Sequence, residues 1–207
     1  MNDEGKGMNK PVKLIASAFA VLIAGTLPAF AHLDPGTHGS FAAGLSHPFF
    51  GLDHILAMVA VGLWATTLGG RAIWLVPATF VGTMAAGFLL ALAGANLPFV
   101  EPAILASVVG LGLLVAAAVK LPVRIGMIVV GIFALFHGHA HGGEVGAATY
   151  LDYGLGFAVA TVLLHAAGVG LGLGAGRVLS GRSGALVTRA VGGVTALLGV
   201  GLVSGWI

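Results

Sequence analysis

No cysteine occurs in the 207-residue chain. That excludes a disulfide framework and thiolate ligation, so a bound metal would have to use imidazole, carboxylate or backbone oxygen. Charge is nearly as scarce: Asp, Glu, Lys and Arg make up 8% of the residues, where a soluble domain carries about a quarter. A water-facing surface cannot be covered so thinly. The nine Lys and Arg are too sparse for a nucleic-acid footprint. The phosphate-binding pattern G-x-x-x-x-G-K-[ST] is missing, which argues against ATP hydrolysis. The zinc-hydrolase pattern H-E-x-x-H is missing too, and there is no Cys to act as a nucleophile beside the histidines. An enzyme is not expected.

What the chain has instead is apolar bulk. Hydrophobic residues are 58% of the total and mean hydropathy is +1.06. Most of the surface must therefore face lipid, as an all-α, polytopic bundle of membrane helices. The 35 glycines fit that setting, because small residues let membrane helices approach closely. Eight histidines against seven acids is an unusual ratio in so apolar a chain, and it points toward metal chemistry.

Along the chain, Lys6, Lys10 and Lys13 precede an apolar run from Leu14 to Leu27, followed by Pro28 and Ala29-Phe30-Ala31. This three-part pattern reads as a signal peptide over 1–31 with cleavage after Ala31. The remainder, 32–207, reads as one six-helix transmembrane domain. Its spans are expected at Phe50 to Leu68, Ala72 to Ala95, Ala103 to Val119, Val123 to His137, Gly154 to Gly174 and Val187 to Ile207. The fourth is short, so its His-rich end either continues as helix or folds back. An extra apolar stretch, Phe41 to Leu45, precedes the first span and suggests a half-helix or re-entrant segment. The repeat Gly168, Gly172, Gly176, with Gly170 and Gly174 beside it, is expected to serve close helix packing.

With the mature N-terminus outside, Arg71, Lys120, Arg124, Arg177, Arg182 and Arg189 all fall on the cytoplasmic side, as the positive-inside rule requires. Asp34, Asp53, Glu101, Glu144 and Asp152 fall opposite. Trp64 and Trp74 at the inner edge, and Tyr150, Tyr153 and Trp206 at the outer, are expected to form aromatic belts. The expected location is a bacterial inner membrane.

Two polar segments interrupt this apolar chain. In the first, His47-Pro-Phe-Phe-Gly-Leu-Asp53-His54, Pro48 is expected in the first turn of the span. His47 and His54, seven residues apart, would then share one stripe of a single helix, with Asp53 beside them as ligand or imidazole orienter. In the second, His137-Gly-His139-Ala-His141-Gly-Gly-Glu144, a helix puts His137 and His141 on one face and turns His139 away. An extended segment puts all three on one face. Gly138, Gly142 and Gly143 suggest a bend. Both segments lie at outer helix ends, so they can meet. Glu101 stands near that mouth, His32 at the mature N-terminus, and His165 near the midplane as either a path residue or a helix–helix hydrogen bond. Imidazole with carboxylate suits Ni, Co, Zn, Cu(II) or Fe, and nothing in the residues chooses among them.

The stretches HPFFGLDHILAMVAVGLWA and FHGHAHGGE resemble the two signatures of the HupE/UreJ family of nickel permeases. The resemblance extends over the Leu-Gly-Gly-Arg71 loop and over Leu97-Pro98 with Glu101. It implies an inner-membrane protein carrying Ni(II), or Co(II), inward to supply hydrogenase or urease maturation. In that reading nickel is substrate, not resident cofactor. The implied ligands are His47, Asp53 and His54, then His137, His141 and Glu144, with His139 inside the second motif. The rival class is a membrane-bound metal sensor or donor that does not itself transport.

Overall fold

Residues 40–142, 150–179 and 182–207 are described by the structure, a computed structural model. The signal-like segment, His32, Asp34, Gly143 and Glu144 lie outside them. Among the described residues there are seven helices and no strands: α1 Ser40–Phe50, α2 Leu52–Leu68, α3 Ala72–Leu92, α4 Val100–Ala116, α5 Val123–Gly142, α6 Tyr150–Val178 and α7 Arg182–Ser204. Helices α3, α5, α6 and α7 are each long and apolar enough to cross a membrane. Helix α4 is apolar but shorter, at 17 residues. The pair α1–α2 qualifies only when taken together, as one span broken by a bend of 82°.

That break corrects the single-stripe expectation for His47 and His54. Pro48 sits in the last turn of α1, not the first turn of α2. It lacks an N–H and disfavours helical geometry at the residue before it, so α1 ends at Phe50. Gly51 then turns extended, at φ −87 and ψ 114, and α2 starts afresh at Leu52. The expected half-helix before the first span is α1 itself. It lies chiefly against α6, where Gly44 meets the Tyr153 carbonyl and Gly156 meets that of Phe41.

Helix α2 is the axis of the bundle, packing on α1, α3, α4, α6 and α7. Its run from Ala57 to Ala65 is buried almost without interruption. The outer faces of the surrounding helices carry the exposed apolar side chains, among them Leu89, Leu113, Ile132, Leu155 and Leu197. The few buried polar side chains, including His54, Ser107, His137, His141, Thr161 and His165, are inside. Such an arrangement suits a lipid surround, which rewards apolar exposure and penalises unpaired polar groups.

Short turns make consecutive long helices antiparallel, so the start of α2, the end of α3, the start of α4, the end of α5 and the start of α6 share one end of the bundle. Asp53, Glu101 and Asp152 are all at this end, whereas Arg71, Lys120, Arg124, Arg177 and Arg182 are at the other. Arg189 reaches toward that second end, its Nε–H donating to the Ala116 carbonyl at 2.8 Å. Charge is thus segregated between the two ends, as the span order required.

Three expectations need revision. Helix α5 runs unbroken through Gly138 to Gly142, so these glycines do not bend the chain. They serve proximity: a Cβ at Gly138 would strike the Met84 carbonyl, and one at Gly142 the Phe88 carbonyl. Trp64 is no belt residue but fully buried, donating its indole N–H to the Val119 carbonyl at 2.9 Å. Tyr153 is likewise inside, stacked on Phe157, while Trp74 and Trp206 are exposed. An indole or phenol buried by neighbouring helices gains more contact area than one left at the interface. The glycine repeat of α6 is only partly a packing seam: Gly168 meets the Val59 carbonyl and Gly172 the Thr66 side chain, but Gly170, Gly174 and Gly176 face open space.

Candidate metal site

Three imidazoles from three helices converge at the acidic end. His47 comes from the last turn of α1, His54 from the first turn of α2 and His141 from the last turn of α5. One nitrogen of each lies within 4.8 Å of the others. Their ring centroids are 5.6 Å apart for His47 and His54, 4.5 Å for His47 and His141, and 4.8 Å for His54 and His141. Two imidazoles on one ion, each bonded at roughly 2 Å, hold their nitrogens roughly 3–4 Å apart. Small side-chain rotations therefore suffice to place all three on one cation.

The elbow at Gly51 makes this possible. In one straight helix His47 and His54 would be stacked about 10 Å apart along the axis. Bending at Gly51 folds His47 back over the start of α2. The glycine is required for room, not for its backbone angles: a Cβ there would lie 2.7 Å from His54 Nδ1 and 2.9 Å from Asp53 Oδ1. Reading the motif by spacing missed this residue, although its place between proline and the acid–imidazole pair was a usable signal. Gly51→Ala should leave the fold intact, since φ −87 is open to alanine. By displacing the orienting carboxylate it should weaken metal binding roughly ten-fold, measured by equilibrium titration of the purified protein.

Asp53 Oδ1 approaches His54 Nδ1 to 2.9 Å, close but off the line of a straight hydrogen bond. The carboxylate favours the proton on Nδ1, which leaves Nε2 with its lone pair toward the cluster. His54 Nε2 faces His141 Nε2 at 2.6 Å. Two such nitrogens can share one proton, or both can be bare toward a shared cation. Phe157 and Tyr153 of α6 wall the group, with Phe157 centred 4.7 Å from the His141 ring and Tyr153 centred 6.2 Å from that of His47. Such an aromatic wall lowers the local dielectric and raises the value of each polar contact inside.

The remaining sequence candidates separate. His139 is turned away, as a helical segment requires, and its Nε2–H donates to the Ala95 carbonyl at 2.7 Å, tying α5 to the loop after α3. Glu101 is exposed in the first turn of α4, at the same end but outside the three-imidazole group. His137 is fully buried one turn inward of His141, with its ring 5.3 Å from that of His54. His165 is 2% exposed, and neither ring nitrogen has a hydrogen-bond partner among the described residues. The helix–helix hydrogen bond considered for it is not present there. Each unpaired buried polar atom costs about 1–3 kcal/mol, so His165 sits where stability alone would not place it. Ser107, which no motif marks, is buried against His137.

The chain is 51% identical to Protein HupE of Rhizobium leguminosarum bv. viciae over 186 residues, covering 89% of this chain and 95% of that one. No solved structure matches it. The family described as HupE / UreJ protein matches residues 19–202, a stretch that holds the elbow, the three imidazoles and both buried histidines beneath them. The chain belongs to the HupE/UreJ family.

Proposed function

We propose that the chain is a secondary permease that imports Ni(II), with Co(II) as the alternative cargo, across a bacterial inner membrane to supply hydrogenase or urease maturation. The observation that carries this reading is the convergence of His47, His54 and His141 from three separate helices at the acidic end of an apolar bundle. Three imidazoles with an adjacent carboxylate and no thiolate suit a borderline divalent ion. Family membership supports nickel among those ions. Asp53 and Glu101 at this end make the entrance attractive to cations.

In this reading α1–α2 is one span, α4 another, and the bundle crosses the membrane six times with the acidic end periplasmic. Cysteines placed at Gly94, in the loop after α3, and at Gly70, in the turn after α2, test the orientation. Both positions face open space, but their left-handed backbone (φ 52 at Gly70, φ 77 at Gly94) strains a cysteine, so the folded yield of each variant is measured first. Gly94→Cys should react with an impermeant thiol reagent in spheroplasts, and Gly70→Cys only after permeabilisation. The opposite pattern would place the histidine cluster on the cytoplasmic side.

The transport reading is tested by initial-rate Ni(II) accumulation in proteoliposomes holding the purified protein, with Co(II) and Zn(II) as competitors. Time-dependent entry into the lumen is expected, inhibited by Co(II). Binding without lumenal entry would favour the sensor or donor instead.

A further inference from the structure

We propose that His137 and His165 form a second cation station, deeper in the bundle than the three-imidazole cluster, and that Ser107 is the positioning residue that sets His137 up as a ligand. The proposal rests on the permease reading and adds the inward step that reading lacks.

The first argument is the arrangement in depth. His137 lies one helical turn below His141 on α5, about 6 Å inward. His165 lies two turns further along α6 than Phe157, which walls the outer cluster, so it stands about 12 Å below that wall. The Phe80 ring of α3 is fully buried between them, centred 5.7 Å from the His137 ring and 5.0 Å from the His165 ring. At the top, the His137 ring is 5.3 Å from that of His54. Imidazoles thus descend from the mouth in two stages, with one aromatic ring between the last pair.

The second argument concerns lone pairs. Ser107 has one hydroxyl hydrogen, and its nearest acceptor is the Ile104 carbonyl at 2.6 Å. With that hydrogen donated, the oxygen is an acceptor for His137 Nε2–H at 2.9 Å. The proton of a neutral His137 is then on Nε2, and Nδ1 carries a bare lone pair. Nδ1 is buried and has no partner among the described residues. Both ring nitrogens of His165 are likewise buried without a partner among the described residues, and in the neutral ring one of the two carries a bare lone pair. Buried polar atoms are ordinarily paired, and these are aligned on the route from the mouth. An imidazole with a free lone pair in a dry interior is a ligand for a borderline divalent cation.

The cation would exchange the outer imidazoles for His137 Nδ1, then pass to His165 as the Phe80 ring turns aside. No proton or electron need be transferred. An interior of histidines without acids keeps each stop weak enough to leave.

The test uses the full-length protein, with Ni(II) binding measured in detergent and uptake measured in proteoliposomes. His165→Gln keeps polarity and hydrogen-bonding capacity but removes the imidazole. It should leave binding at the outer cluster within about two-fold while lowering the maximal uptake rate at least about ten-fold, an effect on turnover and not on apparent KM. His165→Cys should restore uptake of the softer ion Cd(II) above the glutamine variant. For Ser107→Ala, nitrogen-15 NMR of labelled histidine should show His137 losing its fixed Nε2–H form. Its uptake should fall roughly ten-fold, with recovery in Ser107→Thr. Wild-type uptake in His165→Gln, or a cysteine variant no better than glutamine with Cd(II), would overturn the inner station and leave outer capture standing. Failure of the unmodified protein to load the lumen would overturn both.

Discussion

His54→Ala should abolish accumulation of Ni(II) while the folded protein stays in the membrane at its normal level. His54 holds three roles at once: it supplies Nε2 to the cluster, it receives the Asp53 carboxylate at 2.9 Å, and its ring adjoins His137. Loss of a residue that merely orients a ligand costs about 10–100-fold in metal affinity, so loss of this ligand should cost at least about 100-fold. The fold should survive, because among the described residues His54 makes no side-chain hydrogen bond to the backbone of another helix and alanine favours the first turn of α2. His141→Ala should behave similarly. His139→Ala should not: its Nε2–H is committed to the Ala95 carbonyl, and its loss should loosen the loop after α3 without changing metal affinity. Titration of the three purified variants with Ni(II), beside uptake, separates these outcomes. Normal uptake by His54→Ala would remove the cluster from the transport reaction altogether.

The second large effect is on assembly. Gly138→Leu should prevent the bundle from forming, with protein lost to degradation or recovered only as aggregate. A side chain at 138 would drive into the Met84 carbonyl, and Gly87 on the facing helix is equally closed by the Leu135 carbonyl. Overpacking a core costs typically about 1–3 kcal/mol when side chains can yield. Here the obstacle is helical backbone on both sides, so the cost should exceed that range. Among the described residues, helices α3 and α5 share the most extensive contact. Gly170→Leu is the control. It belongs to the glycine-rich run of α6, yet a Cβ there meets nothing within 4 Å. It should fold normally. Size-exclusion chromatography of the two variants in detergent decides the matter.

These two predictions also mark what the sequence could and could not reveal. The apolar helices, and the end of the bundle at which each described charge lies, were legible, because apolar length and Lys/Arg placement are direct consequences of the bilayer. The pairing of His137 with His141 followed from helical period once the segment was helical. The elbow did not follow. Proline is compatible with the first turn of one helix or the last turn of another, and only the packing of α1 on α6 selects the second. The seven-residue spacing of His47 and His54 therefore suggested the right partners by the wrong geometry. Glycines were legible as a class but not one by one. The repeat in α6 is only partly packed, while Gly138, read as a bend, is a contact point. Ser107 was out of reach, since one serine in an apolar helix carries no pattern until its neighbour across the interface is known.

The three imidazoles also bear on how the molecule holds together. His54 and His141 are 87 residues apart in the chain, and His47 lies across the elbow on a helix of its own. A cation gripping all three would fasten α1, α2 and α5 to one another at a single point. In a chain without cysteine this is a clasp that no change of redox state can open, and that opens each time the ion moves on. Cargo in residence would make the acidic end stiff, and its departure would let α1 swing about Gly51.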